Sequence, residues 1–157
     1  MKSMTVSENI QLATDKIREN SLNFFTTFTN KNYVLEKVDF CLGQVGLIEA
    51  NNQPVASLSH GDCRKLEIAM ALASDAKLLL LDEPMAGLGP SETQEMIALL
   101  NKLKGKQTIL LVEHDMDAVF ALADRISVLV SGEIIATGEP NNIRRDSKVQ
   151  KAYLGEA

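Results

Sequence analysis

Two adjacent carboxylates follow an uninterrupted aliphatic run in the middle of the chain. Residues 78–81 are four consecutive leucines, and Asp82 and Glu83 come directly after them, before Pro84. An apolar run without a polar face predicts a buried parallel strand that helices cover on both sides. At the carboxyl end of such a strand, one carboxylate can hold magnesium and its neighbour can deprotonate a water for phosphoryl transfer. The alternative is a strand that ends in an acidic turn closed by Pro84.

A second strand with polar residues at its end is predicted over residues 107–112. Three polar residues follow this strand, Glu113, His114 and Asp115. If the two strands are parallel, His114 lies beside Asp82 and Glu83, where an imidazole can donate a hydrogen bond to a terminal phosphate. The alternative is that His114 caps a helix over residues 115–123.

The third candidate is the start of a helix. Ser59 is a natural N-cap, and its hydroxyl, Gly61 and the unpaired amides of the first turn form a site that can receive a phosphate. The alternative is an ordinary capped helix in which Ser59 and Asp62 satisfy each other's backbone. The apolar positions of this helix are Leu66, Ala69, Met70 and Ala73.

The first half of the chain is predicted to be mainly helical. Thr5 and Glu8 have the spacing of a capping box, which begins a helix over residues 6–19. Asn32 is predicted to cap a second helix, and Gly46 to end it in a left-handed C-cap. The inward positions of this second helix are Val34, Val38, Cys41 and Val45. Three phenylalanines between the two helices form either a satellite core or a partner-facing patch. They are Phe24, Phe25 and Phe28.

In the second half, strands and helices alternate. A helix from Pro90 is predicted between the two parallel strands. Its inward residues are Ile97, Leu100 and Leu103. Residues 126–130 and 133–136 flank a Ser-Gly turn as a hairpin, and terminal helices are predicted over residues 140–154.

The composition is that of an ordinary globular domain. The 157 residues are 45% hydrophobic and 24% charged, which allows one domain with its own core. A formal charge of -5 argues against DNA or RNA as a partner. Cys41 and Cys63 are isolated, so neither a zinc site nor a disulfide framework is indicated. No apolar run approaches the roughly 20 residues that cross a bilayer, and residues 1–10 lack the plan of a signal peptide. A cytoplasmic location is therefore expected.

Four segments resemble, in order, the motifs of ABC-type ATPases. Residues 58–62, Leu-Ser-His-Gly-Asp, resemble the signature motif, and residues 78–83 resemble the Walker B strand with its catalytic glutamate. Residues 85–90 are similar to the D-loop region, and residues 112–115 to the switch-histidine loop. The last nine residues, 149–157, resemble the tails of importer ATPases for branched-chain amino acids and urea.

The resemblance implies a fold and a domain division. The fold class is α/β, a partial P-loop NTPase core of the ABC type with parallel strands and flanking helices, preceded by a mainly α-helical subdomain. Residues 1–75 are expected to form the helical subdomain, which ends in the signature helix. Residues 76–157 are expected to form the carboxyl-terminal half of the ATPase core.

The resemblance also implies residue roles. Asp82 is expected to bind Mg, Glu83 to act on the attacking water, and His114 to contact the γ-phosphate of ATP. Four signature residues are expected to contact the ATP held by a second subunit, because these ATPases work as head-to-tail dimers. They are Ser59, His60, Gly61 and Asp62. His60 replaces the usual first glycine of the motif and Asp62 replaces its glutamine, while Gly89 stands where many relatives carry an aspartate.

No stretch matches G-x-x-x-x-G-K-[ST], the loop that cradles nucleotide phosphates. Residues 4–9 resemble the sequence that follows the glutamine loop of the family, so the chain is expected to be a carboxyl-terminal fragment that is inactive alone. The implied function is the ATP-hydrolysing subunit of an importer for branched-chain amino acids, urea or similar small polar solutes. Its expected partners are a second ATPase subunit, in a homodimer or heterodimer, and a permease that holds it at the inner face of the cell membrane.

Two other functions compete with the ATPase. The first is a catalytically silent interaction module that docks on a permease or partner ATPase. The second is an ABC-type ATPase of DNA repair, which the acidic charge and the lack of long coiled-coil heptads disfavour.

Overall fold

A computed structural model describes residues 3–18 and 30–154 of the chain. The three clustered phenylalanines lie outside the described residues. The chain divides into two compact units, Met1–Val112 and Glu113–Ala157. Each unit has most of its contacts within itself. The boundary between the units lies after residue 112, whereas the boundary expected from the family resemblance lies after residue 75. That boundary separates a helical subdomain from an ATPase core and stays a prediction.

The first unit begins with the predicted capping box. Helix α1 is Val6–Arg18, and the Thr5 amide donates to Glu8 Oε2 at 2.8 Å while the Glu8 amide donates to Thr5 Oγ1 at 3.3 Å. Both halves of the box are therefore formed. Val6 and Ile10 are fully buried on the inner face of the helix. The prediction of this helix is confirmed over the described residues.

Helix α2 is Asn30–Val45, three residues longer at its start than a helix capped by Asn32. Asn32 lies inside the helix, so the prediction that it is the N-cap is wrong; its capping preference is too weak to stop the helix from extending. The end is as predicted, because Gly46 has a φ of +76°. The Leu47 amide donates to the Leu42 carbonyl at 3.0 Å, which is the closing bond of a Schellman cap. The predicted inward residues are all buried: Val34, Val38, Cys41 and Val45.

Three helices and a pair of strands complete the first unit. Helix α3 is His60–Ala73 and packs against α1 and α2. Strand β1 is Leu78–Asp82, helix α4 is Pro90–Leu103 and strand β2 is Thr108–Val112. The strands are parallel, with Leu78 opposite Thr108 and Asp82 opposite Val112. Their parallel direction, on which the grouping of the site residues depends, is confirmed.

The strands are not buried on both faces. Leu79 is 2% exposed, whereas Leu80 is 68%, Leu110 is 57% and Val112 is 57% exposed. Successive side chains of a strand point to opposite faces, so one face of the β1–β2 pair is covered and the other is open. The prediction of cover on both sides is wrong for the part of the chain that the structure describes. Among the described residues, β2 pairs with β1 alone, which leaves its other edge open.

The second unit is built on a hairpin. Helix α5 is Met116–Leu122, and the antiparallel strands β3, Ile126–Val130, and β4, Glu133–Gly138, follow it. Ser131 and Gly132 both have positive φ, 51° and 85°, as the tight turns of hairpins require. The predicted hairpin is therefore confirmed.

The end of the chain packs on this hairpin. Helices α6, Pro140–Arg145, and α7, Ser147–Val149, are followed by a π-helical turn over Gln150–Leu154. A small core joins them to the strands; its buried members are Ile126, Val128, Ile143 and Val149. The Tyr153 hydroxyl donates to the Leu129 carbonyl at 2.6 Å. In the stretches 3–18 and 30–154, every helix is too short or too polar to cross a membrane.

Candidate functional site

The carboxylate pair lies at the carboxyl edge of the β1–β2 sheet. Asp82 is the last residue of β1, and the Glu83 amide extends the ladder by donating to the Val112 carbonyl at 2.8 Å. Glu83 then takes a left-handed backbone conformation, with a φ of 44°. The Ala86 amide closes a tight turn on the Glu83 carbonyl at 3.0 Å. The sheet therefore ends where the turn begins, with both carboxylates exposed at that edge.

The donor chemistry of this edge fits magnesium held together with a nucleotide. Magnesium prefers oxygen ligands and commonly takes one or two carboxylates along with substrate phosphates and waters. Asp82 and Glu83 offer carboxylate oxygens of this kind. Among the described residues, no group of three His, Cys, Asp or Glu side chains is placed to hold a metal ion by itself. Any magnesium at Asp82 would therefore depend on phosphate oxygens and waters for further ligands.

His114 belongs to the second unit, two residues beyond the end of β2. Its imidazole is exposed, and its amide donates to Glu113 Oε2 at 3.1 Å, while the Glu113 side chain is 1% exposed. Asp115, not His114, caps α5: its Oδ1 accepts from the Asp117 and Ala118 amides at 3.0 and 3.2 Å. The alternative that His114 is a helix cap is therefore wrong. Its placement beside the carboxylate pair stays a prediction.

The signature segment, residues 58–62, begins α3. The Ser59 hydroxyl accepts from the Asp62 amide at 3.0 Å, which is the ordinary capping bond. The Asp62 side chain instead lies beside Lys65, with Oδ1 3.4 Å from its Nζ. Helix geometry gives the amides of His60 and Gly61 no carbonyl within α3. These two amides are the ones that an anion at this helix end would meet.

One signature residue contacts the link between β1 and α4, and another contacts the first turn of α4. The His60 Nε2 atom lies 3.3 Å from the Ala86 carbonyl oxygen. Gly61 is buried, and a Cβ atom there would lie 2.7 Å from Glu92 Oε1. The other oxygen of Glu92 accepts from the Gly89 amide at 3.1 Å. The hydrogen bond between the Gly89 amide and Glu92 was not predicted. The sequence does indicate it, because Glu92 stands three residues after Gly89, which is the spacing of a capping box.

A partly buried lysine ties α3 to α4 further along the helices. Lys65 Nζ lies 2.7 Å from Glu95 Oε2, and the lysine side chain is only 17% exposed. Burial lowers the pKa of Lys65, but its hydrogen bond to Glu95 and the charge of Asp62 outweigh burial, so the pKa is raised. The signature helix is therefore held against α4 at both its first and its second turn.

Two clefts open on the first unit. The smaller, of about 150 Å³, runs from α3 to the carboxyl end of β1 and is lined by Arg64, Ile68, Leu81, Asp82 and Pro84 among others. The larger, of about 480 Å³, lies at the amino ends of the strands and is lined by residues that include Lys37, Asp75, Lys77 and Thr108. Ligands of parallel sheets bind at the carboxyl ends of strands, so the smaller cleft belongs with the candidate site and the larger one does not.

Solved structures with this architecture are ATP-binding cassettes. An ATP-binding cassette of an ABC transporter, MJ1267, superposes with a TM-score of 0.80 at 31% identity, over 98% of this chain and 64% of that one. A nucleotide-free ATP-binding cassette gives a TM-score of 0.77 at 32% identity, over 99% of this chain and 65% of that one. The class defined by the fold is thus the α/β core of an ABC-type ATP-binding cassette, present in part.

The sequence comparisons give the family. The family model described as ABC transporter matches residues 1–86, and the one described as branched-chain amino acid ATP-binding cassette transporter matches residues 133–157. The chain belongs to the ABC transporter family. It is 38% identical to the high-affinity branched-chain amino acid transport ATP-binding protein LivG of Escherichia coli K12, and 39% identical to BraF of Pseudomonas aeruginosa. Both alignments cover 99% of this chain, and the chain spans 64% of the length of each relative.

Proposed function

We propose that the chain is part of the ATP-hydrolysing subunit of an ABC importer for branched-chain amino acids, urea or similar small polar solutes. The names of LivG and BraF support the solute class, and the family match over residues 133–157 supports it independently. The observation that carries the proposal is the parallel pairing of β1 with β2. This pairing presents Asp82 and Glu83 at the carboxyl edge of the sheet, where phosphate chemistry takes place in such folds.

Each site residue has a distinct role in this proposal. Asp82 holds magnesium, which neutralises phosphate charge when it is bound. Glu83 orients and deprotonates the attacking water, as an exposed carboxylate beside the metal ligand can do. His114 donates a hydrogen bond to the γ-phosphate. These three residues serve the ATP of their own subunit.

The signature segment serves a different nucleotide. Ser59, His60, Gly61 and Asp62 face the ATP of a second subunit in a head-to-tail dimer. The capped start of α3 supports this role, because the amides of its first turn favour an anion. The partners are that second subunit and a permease, so the protein acts in the cytoplasm, peripheral to the inner face of the cell membrane.

The 157 residues alone are proposed to be inactive, because they contain no P-loop to hold the triphosphate. The open edge of β2 and the exposed leucines on one face of the sheet support this proposal. Both faces of a parallel sheet are normally covered, so a further strand could pair with the open edge and a further helix could cover the exposed face. A silent interaction module would leave the same surface to a partner, and activity measurements separate the two functions.

The test uses a completed subunit. A segment that carries the P-loop of an ABC ATPase is joined ahead of residue 1, and ATP binding and hydrolysis are measured for this fusion and for the isolated chain. We expect the isolated chain to give no calorimetric binding of Mg-ATP and the fusion to bind and hydrolyse it. Glu83→Gln in the fusion should keep binding and lose about a hundredfold to ten-thousandfold in turnover. Glu133→Gln, at an exposed position of the hairpin, is the matched control.

Two results would contradict the proposal. A folded fusion that binds Mg-ATP without turnover would favour the silent module. Turnover of Glu83→Gln within a factor of a few of the control would assign the general base to another residue.

A further inference from the structure

His60 occupies a place where its imidazole reaches the link that follows the candidate catalytic glutamate. Its Nε2 atom lies 3.3 Å from the Ala86 carbonyl oxygen. This distance is at the long end of the hydrogen-bond range. Because the carbonyl can only accept, the bond requires a hydrogen on Nε2. One of the two residues that depart from the usual signature motif thus makes this contact.

The imidazole lies beside Gly87 of the link. Gly87 has a φ of +76°, and a Cβ atom there would lie 3.4 Å from His60 Nε2 and 3.5 Å from its Cδ2. Those separations are ordinary van der Waals contact, so a methyl group at position 87 would touch the ring without a clash. Gly87 is favoured at this position by its positive φ, and a side chain there would report on the imidazole beside it.

The contacted carbonyl belongs to the turn that begins at Glu83. The Ala86 amide donates to the Glu83 carbonyl at 3.0 Å, and the Leu88 amide donates to the Met85 carbonyl at 3.1 Å. A bond to the Ala86 carbonyl therefore restrains residues 83–88 from the side of α3. It connects the start of the signature helix directly with the backbone that carries Glu83.

We propose that His60 is a positioning residue that holds the 83–88 turn against the signature helix of the same chain. Its relevance to catalysis rests on the proposed function, because it places Glu83. In a dimer of the proposed kind, a displacement of the signature segment at the partner's nucleotide would pass through His60 to the turn at the chain's own carboxylates. The contact itself does not depend on nucleotide and is measured without it.

The first experiment determines which ring nitrogen of His60 carries the hydrogen. Nitrogen-15 chemical shifts of the two imidazoles are recorded on the whole chain at a pH where both are neutral, and His114→Phe assigns the signals. We expect the His60 ring to carry its hydrogen on Nε2. A His60 ring that carries it mainly on Nδ1 cannot donate to Ala86, and this result would overturn the proposal without any change at position 60.

The second experiment measures the restraint on the turn. His60→Phe keeps a ring and removes the donor, whereas His60→Gln keeps an N–H donor of comparable reach. Amide hydrogen exchange of Ala86 and Leu88 should accelerate about threefold to tenfold in His60→Phe, the range expected for one net hydrogen bond. His60→Gln should restore most of the protection. Amides of the β3–β4 hairpin should not change in either variant.

A glycine pair gives a matched control. Gly87 and Gly46 share a φ of +76°, but nothing lies within 4 Å of a Cβ atom at Gly46. Gly87→Ala should shift the His60 imidazole signals, and Gly46→Ala should leave them unchanged. Equal exchange acceleration throughout the chain in His60→Phe, or protection of Ala86 and Leu88 within twofold of wild type, would show that His60 does not hold the turn.

Discussion

Replacing Gly61 by alanine tests how the start of the signature helix is fitted to α4. The new Cβ atom would lie 2.7 Å from Glu92 Oε1 and 3.2 Å from Glu92 Cδ. The first distance is shorter than a Cβ contact allows and the second is tighter than most, so the Glu92 side chain must move. Movement weakens its bond to the Gly89 amide, which is the only half of a capping box that a glycine cap can form.

Two opposing effects determine how much Gly61→Ala changes the free energy of unfolding. Loss of a helix-capping bond costs about 0.5–2 kcal/mol, with a centre near 1. Alanine in place of a helical glycine stabilises the folded chain by about 0.5–1 kcal/mol, because it lowers the conformational entropy of the unfolded chain. Gly61→Ala alone should therefore change the free energy of unfolding by less than about 1.5 kcal/mol. In a Glu92→Ala background the clash is absent, and the same change should stabilise the chain by about 0.5–1 kcal/mol.

The assay is a double-mutant cycle in urea, with the four variants compared at constant m-value. We expect a coupling of about 1 kcal/mol between positions 61 and 92. Gly43→Ala is the matched control: Gly43 lies inside α2, and the nearest atom to its Cβ position is the end of the Ile48 side chain at 3.4 Å. It should show no coupling to Glu92. A coupling between Gly61 and Glu92 below about 0.3 kcal/mol would refute the packing argument.

The two remaining predictions concern charge and the open sheet face. Because the pKa of Lys65 is raised on folding, its contribution to stability is present below its ordinary value near 10.5 and is lost as pH rises through the folded value. Lys65→Met should thus cost about 0.2–1 kcal/mol at neutral pH, and less in strongly alkaline urea titrations; an undiminished cost there would contradict this assignment. The exposed leucines of the open sheet face are expected to make the isolated chain self-associate. Leu80→Lys with Leu110→Lys should reduce this self-association in sedimentation velocity without unfolding the chain, whereas Leu79→Lys, at a buried position, should unfold it. A monomeric wild-type chain, or equal self-association of the double variant and the wild type, would contradict this prediction.

Local signals predicted the helices and the hairpin well because short-range bonds make them. The capping box at Thr5, the left-handed Gly46 and the Ser-Gly turn each depend on neighbours within a few residues. The same is true of Ser59, whose hydroxyl accepts a capping bond from the Asp62 amide three residues later. Such features can be read from a sequence since both partners lie in one short window.

Predictions failed where a distant segment decides the outcome. The leucine run predicts a strand that is buried on both faces, but whether a face is covered depends on elements elsewhere in the sequence, and here one face is open. In α4, Met96 and Leu99 are buried along with the predicted Leu100 and Leu103. No periodicity could have linked Gly61 to Glu92, because that contact joins the starts of two helices about thirty residues apart.

Glu83 has a backbone conformation that its side chain disfavours. A non-glycine residue in the left-handed region costs about 1–2 kcal/mol, and glycine at this turn would remove that cost. Glu83→Gly would relieve this strain and also remove the interactions of the glutamate side chain, so its net effect on the free energy of unfolding is the difference between the two. Backbone strain of this kind collects at functional sites, which makes the turn at Glu83 a place where a change that favours stability would compete with the proposed chemistry.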